Sequence, residues 1–175
     1  VLVMLRQQLN RGEKVVPVSV NFSRRNQEDE EFVDHVLACL NHYQVPPELI
    51  QAEVTESVYL YDLKILDENM KRLKRSGVSI SIDDFGAEYS SLNILSKVSA
   101  DTIKLDKQFL KESEKEKLTP EFIKYLVMMI KQLGFGIVAE GVETKEQVRM
   151  LKEAGCDQVQ GYYYARPMPV KEFLE

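Results

Sequence analysis

Ser79-Ile80-Ser81-Ile82-Asp83-Asp84-Phe85-Gly86 is a β-favouring run that stops on two adjacent carboxylates and a glycine. Val78, Ile80 and Ile82 are β-branched and stand at period two, which predicts a buried strand whose carboxyl end is Asp83-Asp84. Two like charges side by side at a strand end are costly unless something positive neutralises them, and a divalent cation bridged by carboxylate oxygens is one solution. An Asp-Asp helix cap or turn is the other. The flanking segments decide between the two.

Upstream, Val1, Leu2, Leu5 and Leu9 share a helical face with Gly12 as the stop, and Val15 to Val20 reads as an apolar strand ending in Asn21. Glu30 to Tyr43 has helical spacing and is broken by Pro46-Pro47; Leu49 to Ala52 leads into Glu53-Val54-Thr55-Glu56, and a helix from about Leu63 to Arg75 ends near Gly77. Downstream come a short helix from Ser91 to Leu95, a strand from Thr102 to Asp106, and a helix from Pro120 to about Leu133 closed by Gly134. Phe135 to Glu140 is the fifth strand, Lys145 to Glu153 a helix, and Gln158 to Tyr162 the sixth strand.

Strand and helix alternate with no hairpin signal, which predicts an α/β fold of parallel strands covered by helices. Asn21, Glu53, Asp83-Asp84, Lys104, Glu140 and Gln160 each fall within or at the carboxyl end of a successive strand. A doubly wound sheet gathers its site from a few strands at a switch point, whereas a barrel brings every strand end to one mouth. The reading is therefore a (β/α)8 TIM-like barrel, truncated to about six of its eight strands, with residues 1–175 as a single domain. The chain begins at Val1 in mid-pattern and reads as a fragment, with two strands expected upstream.

The composition suits an ordinary globular core: 44% hydrophobic and 29% charged residues in 175. A net charge of -5, with no dense Lys/Arg run, argues against duplex nucleic acid as a partner. Cys39 and Cys156 lie far apart without metal-type spacing, which predicts free thiols in a reducing, cytoplasmic compartment. No apolar run reaches the roughly 20 residues of a membrane span, and an anchor upstream in the parent protein stays open.

Asn21, Glu53, Asp83, Asp84 and Glu140 offer oxygen ligands only, so Mg²⁺ or Mn²⁺ is favoured over zinc. Four carboxylates and an amide exceed what one Mg²⁺ takes from protein, and two metals sharing an Asp would use them all in hydrolysing a phosphodiester. Lys104 could orient water or offset charge at phosphorus, and Glu140 could accept a proton or ligate. Taken singly, a Lys or Glu at a strand end is more often a solvated terminus or ion-pair member. Glu56 and Glu143 read as groups that back the ligands or hold loops, His35 and His42 as a solvated helix face, and Tyr162, Tyr163 and Tyr164 as space-filling beneath the rim, with Tyr164 equally open to a stacking role.

The motifs Asn21-Phe22-Ser23, Glu53-Val54-Thr55-Glu56-Ser57, Asp83-Asp84-Phe85-Gly86, Ile103-Lys104-Leu105-Asp106, Ala139-Glu140-Gly141-Val142-Glu143-Thr144 and Gln160-Gly161-Tyr162 through Arg166-Pro167 together resemble the EAL-type cyclic di-GMP phosphodiesterase domain. They stand in that family's order over its carboxyl-terminal three quarters. The resemblance implies a TIM-like barrel and Mg²⁺- or Mn²⁺-dependent hydrolysis of cyclic di-GMP to pGpG, with two metals per site. It would give Asn21, Glu53 and Asp83 to the first metal and Asp83, Asp84 and Glu140 to the second. Lys104 would position water, Glu140 would double as base, and Gln160 would support the site. Glu56 would brace the loop after Asp84, which in the family lines a dimer contact; Glu143 and Arg166 complete the supporting and substrate-facing set. Flanking sensory or diguanylate cyclase domains are implied for the parent.

Two departures qualify this. The family's Glu-Ala-Leu lies on a strand that this chain does not include, so the chain by itself is expected to be inactive, and unpaired edges at Val15–Val20 and Gln158–Tyr162 are expected to drive self-association. Glu88 stands where the family usually has Gly, which is expected to strain or shift its loop. A degenerate module that senses cyclic di-GMP or contacts a partner is the competing reading.

Overall fold

A computed structural model describes residues 1–23, 29, 31–55, 64–87, 95, 98–110 and 119–174. In chain order the elements are α1 (Leu2–Asn10), β1 (Val18–Asn21), α2 (Phe32–Tyr43), β2 (Ile50–Thr55), α3 (Lys64–Arg75), β3 (Ser79–Phe85), β4 (Thr102–Leu105), α4 (Pro120–Gln132), β5 (Gly136–Ala139), α5 (Lys145–Ala154), β6 (Gln158–Val159) and α6 (Val170–Phe173). The strands pair in sequence order, β1-β2-β3-β4-β5-β6, and β1–β2, β2–β3 and β5–β6 are parallel. A doubly wound sheet reverses its order at a switch point; this order never reverses, as successive βα units of a barrel require.

Two compact units make up the chain: Val1–Asp83 with Ser90–Thr102, and Asp84–Tyr89 with Ile103–Glu175. In the first, the register Val20↔Ala52↔Ile80 sets an apolar face, and Ala52, Val54, Ile80 and Ile82 are fully buried. The opposite face carries Asn21↔Glu53↔Ser81 and Thr55↔Asp83. One strand residue out of register would exchange these faces, so the alternation itself fixes the pairing. In the second unit α4 buries Ile123, Val127 and Ile130 at helical spacing. Thr119 caps that helix by accepting from the Phe122 N–H at 3.2 Å, with Pro120 in its first turn. A capping box of Thr144 and Gln147 opens α5.

Each unit contains the same clamp. Lys74, at the end of α3, lies 2.7 Å from Asp101 and also donates to the Ala100 carbonyl, while Asp101 Oδ2 accepts the Ile80 N–H of β3 at 2.9 Å. Lys131, at the end of α4, lies 2.5 Å from Asp157 and donates to the Gly155 carbonyl, while Asp157 Oδ2 accepts the Ile137 N–H of β5 at 2.9 Å. The chain writes this twice as Lys-x-x-Gly-x-x-Ile, at Lys74-Gly77-Ile80 and Lys131-Gly134-Ile137. Gly77 and Gly134 both turn through positive φ, 99° and 91°, which brings the helix end back onto the strand.

Several sequence expectations shift at their edges. β1 starts at Val18 because Pro17 has no N–H to give a ladder. α2 starts at Phe32 rather than Glu30 and ends at Tyr43 as expected, where Gln44 takes a left-handed turn at φ 51°. The sixth strand stops at Val159 and does not reach Tyr162, because the Gln160 carbonyl accepts from Val142 and the chain then turns, Tyr163 N–H bonding Val142 O. That turn carries Tyr162, Tyr163 and Tyr164 outward, 42–61% exposed, so they do not fill space beneath a rim. His35 and His42 are exposed, and Cys39 and Cys156 are free thiols, as expected. Glu56, Glu88 and the expected helix from Ser91, apart from Leu95, lie outside the described residues. No helix among the described residues is long and apolar enough to cross a membrane.

Candidate active site

In the second unit, Lys104 stands on β4 and Glu140 follows β5 directly, with the Glu140 N–H bonded to the Leu105 carbonyl at 3.0 Å. That backbone bond sets the two side chains level, and Lys104 Nζ meets Glu140 Oε1 at 2.9 Å with side chains only 6% and 16% exposed. An ion pair so little solvated holds its geometry, since neither partner has a cheap alternative in water.

Asp84 reaches the same place by a break in the strand. Alternation along β3 puts Ser79, Ser81 and Asp83 on one face and Ile80 and Ile82 on the other, so an extended Asp84 would follow the isoleucines into the apolar layer. Its backbone instead turns left-handed at φ 55°, a conformation that Asp tolerates at a cost of about 1 kcal/mol. Asp84 is thereby exposed, with carboxylate oxygens within 4.8 Å of those of Glu140, and Asp83 immediately precedes it.

The turn that follows is braced from below. Gly86 has φ 93°, and a Cβ there would lie 2.0 Å from the Phe109 ring, so only glycine lets the chain pass. Phe109 is placed by Asp106, whose carbonyl accepts the Phe109 N–H and whose N–H bonds the Phe85 carbonyl. The buried Asp106 carboxylate accepts the Gln108 N–H at 2.8 Å. Asp106 closes the Ile103-Lys104-Leu105-Asp106 motif, and the sequence alone assigns it no role. Its signal is its place two residues beyond Lys104, on the same side of the chain.

In the first unit Asn21 and Glu53 are register partners, Glu53 buried and Asn21 exposed. Asp83 pairs with Thr55 one step further along the polar face. Ser81, the register partner of Glu53, is fully buried and its hydroxyl has no hydrogen-bond partner among the described residues. A buried polar group so left costs about 1–3 kcal/mol, which makes it a second residue that sequence reasoning passed over.

The supporting residues lie variously. Gln160 is past the end of β6 with an exposed side chain; its backbone bonds Ala139 and Val142. Gly161 is essential to that turn, since a Cβ would lie 2.1 Å from the Val142 carbonyl oxygen. Glu143 is exposed, its N–H held by Gln147 Oε1 at 2.7 Å. Arg166 stacks 4.4 Å above the Tyr162 ring.

The family model for the EAL domain matches residues 1–167. Among the curated relatives, the cyclic di-GMP phosphodiesterase NbdA of Pseudomonas aeruginosa is 35% identical over 166 residues, covering 93% of this chain and 21% of NbdA. The solved cyclic di-GMP complex of the MucR phosphodiesterase from Pseudomonas aeruginosa is 33% identical with a TM-score of 0.87, over 98% of this chain and 70% of that one. The manganese and cyclic di-GMP complex of Klebsiella pneumoniae BlrP1 is 26% identical with a TM-score of 0.81, over 95% of this chain and 42% of that one. The chain spans between 20% and 36% of the length of the first curated relatives it matches. The strand order is that of a barrel and the family match runs from α1 to beyond β6, and the chain belongs to the EAL domain family.

Proposed function

We propose that this chain is part of a metal-dependent phosphodiesterase that hydrolyses cyclic di-GMP to linear pGpG in bacterial second-messenger signalling. The observation that carries the reading is Glu140, held 2.9 Å from the buried Lys104 ammonium with its carboxylate within 4.8 Å of that of Asp84. The relatives' names supply the substrate: NbdA is a cyclic di-GMP phosphodiesterase, and MucR was solved with cyclic di-GMP.

The donor set fits Mg²⁺ or Mn²⁺. Asn21, Glu53, Asp83, Asp84 and Glu140 offer only hard oxygen atoms, and the buried Lys104 offsets part of their charge without supplying a ligand. Asn21, Glu53 and Asp83 would hold one ion, and Asp83, Asp84 and Glu140 a second. Two such ions supply Lewis-acid charge at phosphoryl oxygens and make water more acidic. Lys104 then holds the attacking water and offsets negative charge growing at phosphorus, and Glu140 takes the proton as general base. Gln160, Glu143 and Arg166 steady the surrounding loops and the substrate, and Glu56 braces the loop after Asp84. The active form is a cytoplasmic homodimer with sensory or cyclase domains attached in the parent protein.

The test incubates the full-length protein with cyclic di-GMP and Mn²⁺ beside its Glu140→Ala variant and separates products by chromatography. Conversion to pGpG in the first and not the second supports the assignment. No conversion by the unaltered protein rejects it, and retained binding in that case would point to the sensing module.

A further inference from the structure

The polar face of β2 and β3 is built in steps. At the first step the groups satisfy one another: Ser19 donates to Gln51 Oε1 at 2.8 Å, Gln51 Nε2 donates to Thr102 Oγ1 at 3.4 Å, and Ser79 donates to the Ile50 carbonyl. At the next step Glu53 faces Ser81 in register, with Glu53 6% and Ser81 0% exposed. The Ser81 hydroxyl finds no partner there among the described residues. A hydroxyl both donates and accepts, whereas a carboxylate only accepts, and a water between them gives the Ser81 hydroxyl its partner while donating to the carboxylate.

We propose that Ser81 holds an internal water against the Glu53 carboxylate, and so acts as a positioning residue that orients Glu53 toward the metal. The inference rests on the reading of Glu53 as a metal ligand. A chain that needed only a small residue at this place would be served as well by alanine, which fills nearly the same volume and leaves no polar atom unpaired. The serine therefore has to be explained by its oxygen. Groups that orient a ligand from behind typically change metal affinity by 10–100-fold when removed.

The test measures Mn²⁺ binding, with no substrate present, by isothermal titration of the full-length protein and of Ser81→Ala, Ser81→Thr and Glu53→Ala. Ser81→Ala is expected to weaken Mn²⁺ about tenfold with an unchanged melting temperature, and Ser81→Thr to restore it. A crystal structure of the unaltered protein is expected to place a water within hydrogen-bond distance of Ser81 Oγ and a Glu53 carboxylate oxygen. Weakened binding in Glu53→Ala with full affinity in Ser81→Ala overturns the role of Ser81 and leaves Glu53 a ligand. Full affinity in both overturns the ligand assignment as well. If Ser81→Ala does not fold, the crystallographic water alone decides, and its absence rejects the proposal.

Discussion

The amino-terminal parts of β3 and β5 and the carboxyl ends of β4 and β5 use the same residue types to opposite effect. At the former, Lys74–Asp101 and Lys131–Asp157 are ion pairs with every side chain 36–42% exposed, and each carboxylate also accepts a strand N–H. At the latter, Lys104–Glu140 is sequestered, and a second carboxylate, Asp84, is brought beside it by a backbone turn that favours no one locally. The clamps are electrostatically finished, with each charge answered by its neighbour. The other cluster sets a second carboxylate within 4.8 Å of a sequestered ion pair, the arrangement on which the proposed cation site rests.

Breaking the cluster should therefore abolish function, while breaking a clamp should only loosen the fold. Glu140→Ala is expected to lower phosphodiesterase turnover by at least about 10²–10⁴-fold, the range for loss of a general base, as read by pGpG formation at saturating substrate. Lys104→Met removes the ammonium 2.9 Å from the little-solvated Glu140 carboxylate, and urea unfolding should show a loss of about 3–5 kcal/mol. Asp101→Ala or Asp157→Ala should cost about 1 kcal/mol each, because an exposed pair contributes little and the lost N–H bond is the larger part. Equal costs from the two would confirm that the clamps are one device used twice.

The Asp157 clamp also has a pH signature. The hydrogen bond from Lys131 holds the Asp157 carboxyl below its ordinary value of 3.8, assisted by the Ile137 N–H and opposed by partial burial. A lowered folded-state pKa gives stability that is complete above 3.8 and fades as pH falls through the lower, folded value. Asp157→Asn should flatten the acid limb of the stability curve, as followed by denaturant midpoints below pH 4. The smallest effect is on the neighbouring thiol. Burial raises the Cys156 pKa above 9.0, against the pull of backbone N–H groups, so alkylation at neutral pH should be slow beside that of the exposed Cys39. Asp157→Ala should speed the reaction at Cys156 and leave Cys39 unchanged.

Much of this architecture was legible in the residues. Period two in Val78, Ile80 and Ile82 and period 3.6 in Ile123, Val127 and Ile130 gave strand and helix because burial on one side is what each period serves. Asn21, Glu53, Lys104 and Glu140 announced themselves by polar type at apolar strand ends. Ser81 gave no such sign, being a small polar residue that strands often carry. The Lys-x-x-Gly-x-x-Ile repeat was readable, but its meaning needed Asp101 and Asp157, 27 and 26 residues further on. The strand-like run at 158–162 misled in the other direction, since it is cut short where the Gln160 carbonyl accepts the Val142 N–H and the chain turns.

By itself, the sequence determined the alternation of strand and helix, the apolar faces and the kinds of ligand atom available, because these follow from side-chain chemistry and spacing along one chain. Only the tertiary structure decided that Asp84 leaves its strand's alternation, that Lys104 pairs with Glu140 from 36 residues away, and that the buried Ser81, in register with Glu53, has a hydroxyl with no hydrogen-bond partner among the described residues. Each of these is a relation between neighbouring strands or a break in local geometry, set by packing and hydrogen bonds to residues remote in the chain, on which local periodicity carries no information.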